Sequence, residues 1–462
     1  MSSLTMTSNA TKSLLKQMID KIEPIDFRSL VDNGSNGDVR LTNKHYLVGT
    51  VDNVLSIAKE NNWGLCRSNG FIYVFNGEYW NNVDELLFQG FLAQAAYKMG
   101  VSRIDAKHYI FQEQLLRQFY SSASLSNLNK DKGIILINLQ NGTYEITAEG
   151  GRLRKFSHKD FLTYQLPFCF EPTATAPLFM KYLERVLPDP ALQMILSEFL
   201  GYVFIRSLKL EKCLLLYGSG ANGKSVFFEI VNALLGKANI SNYSLTNLSE
   251  EHNRALIVDK LLNYGSEIRG NIQSDIFKQL VSGEPIQCRL KYGNSFTIED
   301  YARLCFNCNE LPKEVEHTEA FFRRFIIIPF NTTIPEHERD PELAKRIIQE
   351  ELPGVFNWVL DGVNRLNVQK SFTYSEVVRG MVEDYRQQSD SVHLFLSGDE
   401  YVKSNDTFTL LKHIYPDYRV FCQADGYKAL SKTNFKKRLE NLGYTVERKN
   451  IGLSVFLTKA KR

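Results

Sequence analysis

Cys213-Leu-Leu-Leu-Tyr217-Gly218-Ser-Gly-Ala-Asn-Gly223-Lys224-Ser225 is the stretch of sequence that decides the fold. Its first five residues form a short apolar run, as expected of a buried parallel strand. The next eight fit the pattern Gly-x-x-x-x-Gly-Lys-Ser/Thr, and a helical pattern follows. Glycines at these positions let backbone N–H groups converge on phosphate oxygens, and the new helix adds its positive end. The stretch therefore predicts a phosphate-binding loop in an α/β domain.

The loop predicts both the ligand and the residues that hold it. Lys224 would reach the β- and γ-phosphates of a nucleotide, and Ser225 would hold Mg²⁺. ATP and Mg²⁺ are therefore the expected cofactors. The predicted nucleotide-binding residues are Gly218, Ser219, Gly220, Ala221, Asn222, Gly223, Lys224, Ser225 and Val226.

Three further apolar runs, at 261–265, 304–307 and 325–329, predict more strands of the same sheet. Helical patterns lie between them, and strands that alternate with helices indicate an α/β sheet. Before the strand that starts at Cys213, residues 179–208 are apolar at helical spacing and predict a small helical bundle. Cys305 and Cys308 lack a second Cys/His pair nearby, so we interpret them as strand residues and not as zinc ligands.

Polar residues beside these runs are candidates for catalysis. Glu267 follows the first run, where a carboxylate can organise Mg²⁺ and polarise the attacking water. Asn309 follows the second, where an amide can sense the γ-phosphate, and Asn307 is the competing candidate. Arg323 and Arg324 precede the third, and an arginine there suits a finger that stabilises charge on the γ-phosphate.

A hairpin is predicted between the strand-like segments 286–290 and 295–298, with Gly293-Asn294 in the turn. Lys291 and Tyr292 lie beside that turn. A lysine there can contact phosphates and a tyrosine can stack on a base. These two residues are therefore candidates for DNA binding.

The regions on either side of the core have their own patterns. Residues 1–170 mix helical patches with two hairpin signals, Asn76-Gly77 and Asn141-Gly142, each predicted to form a type I′ turn. They indicate an N-terminal α+β domain, and 171–177 resembles a linker. Residues 371–391 are polar and would connect the core to a last domain.

The last domain, 392–462, shows the order helix, helix, strand, strand, which resembles a winged helix. Ser431 is predicted to cap the second helix. Residues 431–462 carry nine Lys/Arg and two acids, net +7, in a chain of net charge +3. Such a basic end suggests a polyanion ligand. The candidate DNA-binding residues on the second helix are Lys432, Lys436, Lys437 and Arg438.

The motifs resemble those of superfamily 3 helicases, in the phage and plasmid primase-helicase branch, over about residues 134–366. Besides the phosphate loop, the resemblance rests on Asn141-Gly142, Ala176-Pro177-Leu-Phe179, Glu198-Phe-Leu-Gly-Tyr202, Lys260-Leu-Leu-Asn-Tyr-Gly-Ser-Glu267, Lys278-Gln-Leu-Val-Ser-Gly283, Arg289-Leu-Lys-Tyr-Gly293, Asn309-Glu-Leu-Pro312 and Arg323-Arg-Phe325. The resemblance implies a modified AAA+ core at 176–370, which includes the helical bundle at 176–210. It also implies that copies of the chain form hexameric rings that unwind DNA.

The resemblance also assigns roles to single residues. Glu267 matches the Walker B acid, although family members commonly carry two adjacent acids there and this sequence has one. Asn309 matches the first sensor, and Arg324 matches the finger better than Arg323. Lys291 and Tyr292 match the tip of the channel hairpin, where viral relatives usually carry Lys-His. The chain has no Asp-x-Asp, so we expect a helicase without primase activity.

Together, the motifs and the resemblance imply an ATP-dependent, hexameric DNA helicase for replication of a phage, plasmid or integrated element. Its partners would be single- and double-stranded DNA, further copies of itself and a separate primase. An origin-binding initiator that uses ATP as an assembly switch is the main alternative, and a small-molecule kinase is a weaker one. Seven scattered cysteines and the lack of a long apolar run or signal core indicate a cytoplasmic chain that is not bound to a membrane.

Overall fold

The structure is a computed structural model that describes residues 9–30, 40–68, 70–123, 133–266, 268, 272–290, 295–313, 315–398 and 401–459. It is a mixed α/β chain, as the sequence predicts. Glu267, Lys291 and Tyr292 lie outside the described residues. Within the described ranges, the helices lack the combination of length and apolar character that a membrane crossing needs.

The N-terminal region combines helices with two antiparallel meanders. Its elements are α1 (Asn9–Lys21), α2 (Asn43–Glu60), β1 (Gly64–Ser68), β2 (Phe71–Phe75), β3 (Trp80–Val83), α3 (Glu85–Met99), α4 (Arg103–Lys107), α5 (Tyr109–Ser122), β4 (Ile135–Leu139), β5 (Gly142–Thr147) and β6 (Gly150–Arg154). Helices α2, α3 and α5 share a core around Val54, Phe88 and Phe119. Strand β4 instead buries Ile137 and Leu139, and β5 buries Ile146, in the core of the following domain.

Both hairpins form, but their turns differ from the predicted type I′. Phe75 pairs with Trp80, so the first loop has four residues, and Asn76 Oδ1 accepts bonds from the N–H groups of Glu78 and Tyr79, both at 2.9 Å. Leu139 pairs with Gly142, so the glycine already belongs to β5. The side-chain acceptor of Asn76 stabilises a longer turn than the Asn-Gly pattern suggests.

The central domain is a five-stranded parallel sheet with helices on its faces. Its elements are α6 (Pro177–Val186), α7 (Pro190–Tyr202), β7 (Cys213–Tyr217), α8 (Lys224–Leu235), β8 (Ile240–Ser241), α9 (Glu251–Ala255), β9 (Leu262–Gly265), α10 (Ser274–Ser282), β10 (Ile286–Arg289), β11 (Ser295–Ile298), β12 (Arg303–Cys308), α11 (Glu319–Phe322), β13 (Phe325–Pro329), α12 (Leu343–Glu350), α13 (Leu352–Gln369) and α14 (Glu376–Gln388). The strand order is β13-β7-β12-β9-β8. The predicted strands are thus present, within one or two residues of their expected ends.

Helices α7 and α13 cover one face of the sheet and pack very closely against each other. A Cβ on Gly362 would lie 2.3 Å from Ser197 O, so only glycine permits this approach. Glu198 is fully buried between them, where it pairs with Arg365 at 3.2 Å and accepts a bond from the N–H of Thr373 at 2.8 Å. The motif that begins at Glu198 therefore ties the helical bundle to the chain after α13.

The polar segment 371–391 contains α14, which packs on the sheet. Tyr385 is 2% exposed, and its ring meets those of Phe322 and Phe325 at centroid distances of 5.4 and 5.8 Å. This segment is therefore part of the central domain as well as the connection to the last one.

The C-terminal region has the predicted order of helices and strands, with one more helix and three short strands. Its elements are α15 (Ser391–Ser397), β14 (Tyr401–Lys403), β15 (Thr409–Leu410), α16 (Leu411–Ala424), α17 (Lys432–Asn441), β16 (Val446–Lys449), β17 (Gly452–Val455) and β18 (Leu457–Lys459). Ser431 Oγ accepts a bond from the N–H of Asn434 at 3.3 Å and so caps α17, as predicted. Phe435 and Leu439 are fully buried in a core of this region's own.

Candidate functional site

The predicted phosphate loop lies between β7 and α8, at the carboxyl end of an interior strand. Gly220 and Gly223 have φ values of +112° and +88°, a region that favours glycine. A Cβ on Gly223 would lie 2.8 Å from Val186 Cγ1, so the α6 side of the loop also requires glycine. Ser225 is exposed in the first turn of α8. The backbone thus has the tight turn that a phosphate group needs, at the start of a helix whose N-cap residue, Gly223, makes no side-chain capping bond.

Lys224 lies inside the loop. It is 6% exposed, and its Nζ contacts Gly218 O and, at 3.3 Å, Asn222 Oδ1. Burial lowers the pKa of Lys224, because the ammonium loses water and its partners among the described residues are neutral oxygens. Asn222 is fixed in turn, since its Nδ2 donates to Phe330 O at 2.9 Å. A phosphate would offer this ammonium a charged acceptor in place of a carbonyl.

Three neighbouring segments brace the loop. Tyr182 Oη donates to Gly223 O at 2.9 Å, Gly218 N–H donates to Cys308 O at 3.1 Å, and Ile334 N–H donates to Ala221 O at 2.8 Å. Burial raises the pKa of Tyr182, so its hydroxyl remains a donor at any physiological pH. Tyr182 was not predicted from the sequence, where it is one of several apolar positions of α6.

The structure places Asn309 at the same edge of the sheet as the loop. Strand β12 runs beside β7, with Cys308 opposite Tyr217, and Asn309 follows it as an exposed residue. The competing Asn307 is engaged, because its Oδ1 accepts a bond from Tyr264 Oη at 3.0 Å. Of the two candidates, Asn309 is thus the one exposed beside the loop.

For the predicted Walker B acid and the predicted hairpin tip, the structure describes only the neighbouring strands. Strand β9 ends at Gly265, at this same edge beside β12, two residues before Glu267 in the sequence. Strands β10 and β11 form the predicted antiparallel hairpin, with Arg289 opposite Ser295. The roles of Glu267, Lys291 and Tyr292 stay predictions.

The arginine pair lies at the amino ends of the strands, on the opposite side of the sheet from the phosphate loop. Phe325 is opposite Cys213, so Arg323 and Arg324 precede the amino ends of these strands, whereas the loop follows Tyr217 at the carboxyl end. A strand of this length separates the two edges by roughly 16 Å. The arginines are therefore too far away to act on a nucleotide held by their own loop.

The two arginines differ in exposure although they share one partner. Glu211 Oε2 lies 3.0 Å from Arg323 and 3.1 Å from Arg324, whose side chains are 56% and 9% exposed. Arg324 also donates to Ser282 Oγ at 3.0 Å. Arg323 is thus open to a neighbouring molecule, and Arg324 would first have to leave Glu211 and the buried Ser282.

A cavity of about 480 Å³ opens beside Arg323, at the amino edge of the sheet. Its walls combine apolar side chains such as Phe322 and Phe372 with charged ones such as Lys212 and Arg386. Because the phosphate loop lies at the other edge, this cavity is separate from the predicted nucleotide site.

The four basic residues of α17 fall into two groups. Lys432 and Lys437 are exposed, and Lys436 is partly exposed with Glu440 at 3.2 Å. Arg438 instead points inward, and its Nε donates to Asp390 Oδ2 at 2.8 Å. Asp390 is 1% exposed, and its other oxygen accepts the N–H groups of Val392 and His393 at 3.0 and 3.2 Å. The structure thus leaves the three lysines, and not Arg438, facing solvent.

Arg438→Ala is expected to destabilise the C-terminal region by about 3 kcal/mol, because it leaves the buried Asp390 carboxylate without its partner. Amide exchange of α15 and α17 would measure the change. Lys437→Ala, on the exposed side of the same helix, is the matched control and should change stability by less than about 0.5 kcal/mol. Equal protection in the two variants would show that the ion pair does not support this region.

Three family models match separate segments of the chain. Residues 57–188 match the D5 N terminal like family, and residues 387–460 match the Poxvirus D5 protein-like family. Residues 216–324, which include the phosphate loop, match a family of unknown function, DUF5906. The chain is therefore similar to D5-like proteins on both sides of the predicted loop.

Two viral relatives carry helicase names. "Putative helicase 121R" of Invertebrate iridescent virus 3 is 22% identical over 62% of this chain and 34% of the relative. A "Putative helicase" of Acanthamoeba polyphaga mimivirus is 24% identical over 50% of this chain and 25% of the relative. The regions matched thus span about a third and a quarter of these relatives. Together with the D5-like segments, they relate the chain to a D5-like helicase family.

A solved structure shares the fold. The apo structure of the NrS-1 C terminal region is similar with a TM-score of 0.50 and 12% identity, and the match covers 88% of this chain and 98% of that one. At this identity the similarity concerns the arrangement of helices and strands. It extends across all three regions described above.

Proposed function

We propose that the protein is a replicative DNA helicase with a superfamily 3, AAA+-type core, driven by ATP hydrolysis between the subunits of a hexameric ring. The observation that carries this proposal is the placement of the phosphate loop and the arginine pair at opposite edges of one parallel sheet. The helicase names of the relatives and the D5-like segments support it.

Nucleotide binding fits the residues at the loop. The backbone from Gly218 to Gly223 would cradle the phosphates, Lys224 would neutralise them, and the exposed Ser225 would hold Mg²⁺ together with Glu267. Asn309, at the end of the adjacent strand, would orient water or the γ-phosphate. Mg²⁺ would supply positive charge to the developing transition state.

The position of the arginines supports a ring. A finger roughly 16 Å from its own loop must serve the loop of a neighbouring subunit, with its arginine edge against the neighbour's loop edge. Such a contact is head-to-tail, and head-to-tail contacts close into rings when the rotation permits. Each nucleotide would then lie between two subunits, and hydrolysis would be coupled to their relative movement.

DNA would bind in two places. Lys291 and Tyr292 would draw a single strand through the ring, and the lysines of α17 would hold duplex DNA in a winged-helix-like manner. Arg438 would set the orientation of α17 through Asp390 and make no phosphate contact of its own. A separate primase and other replication proteins would be further partners.

Two assays on the unmodified protein test the proposal. Single-stranded DNA should stimulate its ATP hydrolysis, and the enzyme should separate a forked duplex only when ATP is hydrolysed. ATP binding that promotes assembly on duplex DNA, without DNA-stimulated turnover, would instead indicate an initiator that uses ATP as a switch. Molecular mass measured with and without ATP and DNA would give the number of subunits in the assembly.

The triple variant Lys432→Ala, Lys436→Ala, Lys437→Ala is expected to bind duplex DNA more weakly and with less dependence on salt. Three lost phosphate contacts should lower the slope of log K against log salt by about 2–3. Basal ATP hydrolysis should be retained, because α17 is not part of the nucleotide site. Lys412→Ala, on the exposed surface of α16, is the control. An unchanged slope would mean that α17 is not the DNA-binding helix.

A further inference from the structure

Two aromatic side chains of β2 reach from the N-terminal region to the central domain. The ring of Phe71 meets the ring of Phe296, in β11, edge to face at a centroid distance of 5.5 Å and an angle of 81°. Two residues further on, Tyr73 Oη donates to Asp259 Oδ2 at 2.7 Å. Residues 71 and 73 lie on the same face of β2. One face of a strand thus contacts two segments of the neighbouring domain.

The segment of Asp259 belongs to the base of the β10–β11 hairpin. Asp259 has a φ of +60° in the turn between α9 and β9. Its neighbour Val258 forms an antiparallel bridge with Tyr301, three residues after β11, and Ala302 N–H donates to Ile257 O at 3.1 Å. Tyr73 therefore fixes the turn against which the chain leaving the hairpin is paired.

The other strand of the hairpin is held from α9. Arg254 is 4% exposed, and it donates to Gln287 O in β10 at 3.0 Å and to Ser249 O at 2.7 Å. Both strands thus have an anchor: β10 on Arg254, within the central domain, and β11 on Phe71, in the N-terminal region. A two-stranded hairpin is marginally stable alone, so its orientation depends on such packing partners.

We infer that the N-terminal region positions the β10–β11 hairpin, with Phe71 and Tyr73 as the positioning residues. The inference rests on the proposed function, in which the turn of this hairpin contacts the translocating strand. The contacts at the hairpin base give the N-terminal region a role in coupling ATP hydrolysis to movement of DNA. Phe71 packs against the strand that carries the turn, and Tyr73 holds the adjoining turn in its strained conformation.

The activity test uses Phe71→Ala in the full chain. Basal ATP hydrolysis should stay near the parent rate, because the phosphate loop and arginine pair are untouched. Stimulation by single-stranded DNA and strand separation should fall about 10-fold or more, as expected when a contacting group is displaced by about 1 Å. Phe71→Tyr, which keeps the ring, should restore both. Tyr97→Ala removes a 55% exposed aromatic from the same region and should change neither.

A second readout does not depend on activity. Amide exchange in β10 and β11 should become faster in Phe71→Ala and in Tyr73→Phe, with exchange in α17 unchanged. Unchanged hairpin exchange in both variants would overturn the inference, even if the parent protein proved inactive. Inactivity of the parent itself would overturn the proposed function and leave the exchange result to decide the contact. The Phe71 side chain would have a purely structural role if two results came together. Phe71→Ala would lose basal hydrolysis through general unfolding, and Tyr73→Phe would leave amide exchange of the hairpin unchanged.

Discussion

Lys224→Ala is expected to lower ATP hydrolysis by at least about 10²–10³-fold, the usual cost of removing one group that stabilises transition-state charge. The ammonium is the one cation that the described part of the loop directs at its own centre. Strand separation should be lost with hydrolysis. Steady-state phosphate release, with and without single-stranded DNA, measures the effect.

The fold of this variant should survive. Lys224 contacts a carbonyl and an amide oxygen, so its removal leaves no buried carboxylate unpaired among the residues that the structure describes. Burial already disfavours its charge, as the lowered pKa indicates, so alanine relieves a desolvation cost. Thermal unfolding should therefore be close to that of the parent. Lys237→Ala, on the exposed surface just after α8, is the matched control. Hydrolysis by Lys224→Ala at near the parent rate would remove the loop from the mechanism.

Local patterns were enough to predict four of the five strands of the central sheet and the loop between β7 and α8; the two-residue strand β8 was not predicted. An apolar run of four or five residues between helical patterns is too short for a helix of its own and so indicates a buried strand. The order of the strands was a different matter. That β13 lies beside β7, with β12 on its other side, depends on packing between segments more than 80 residues apart. The parallel register of β13 with β7 then places the loop and the arginines at opposite ends of these strands.

Side-chain partners were the least predictable part of the site. Arg438 and Lys437 are neighbours in one basic run, yet one pairs with a buried aspartate 48 residues earlier and the other faces solvent. Tyr182 looked like a core residue of α6, and only the structure shows its hydroxyl on the loop backbone. Such partners are set by tertiary contacts, which composition and spacing do not record.

The same limit applies to Arg323 and Arg324. The family resemblance favours Arg324, whereas exposure favours Arg323, and Glu211 binds both. Glu211 is itself partly exposed, so a phosphate in the next subunit could compete with it for either arginine. Because the choice depends on a contact between two subunits, it requires an experiment on mixtures of subunits.

Arg324→Ala is expected to bind ATP but to hydrolyse it about 10³–10⁵-fold more slowly, the loss found where arginine fingers are removed. Mixing it with Lys224→Ala should restore part of the activity, since some interfaces would combine an intact loop from one subunit with an intact finger from the next. The recovery should increase with single-stranded DNA that promotes assembly. Arg323→Ala is the matched control and should lose far less.

The mixture distinguishes every arrangement of the site. If Arg323→Ala is the variant that loses hydrolysis and regains it on mixing, the exposed arginine is the finger and Arg324 serves to hold Glu211 and Ser282. If the finger acted on the loop of its own subunit, every site in the mixture would still carry one of the two defects. Mixing would then restore nothing. Because the sheet separates the two edges by roughly 16 Å, we expect recovery. A mixture no more active than the sum of its parts, in which labelled subunits demonstrably exchange, would contradict the shared site and with it the head-to-tail ring.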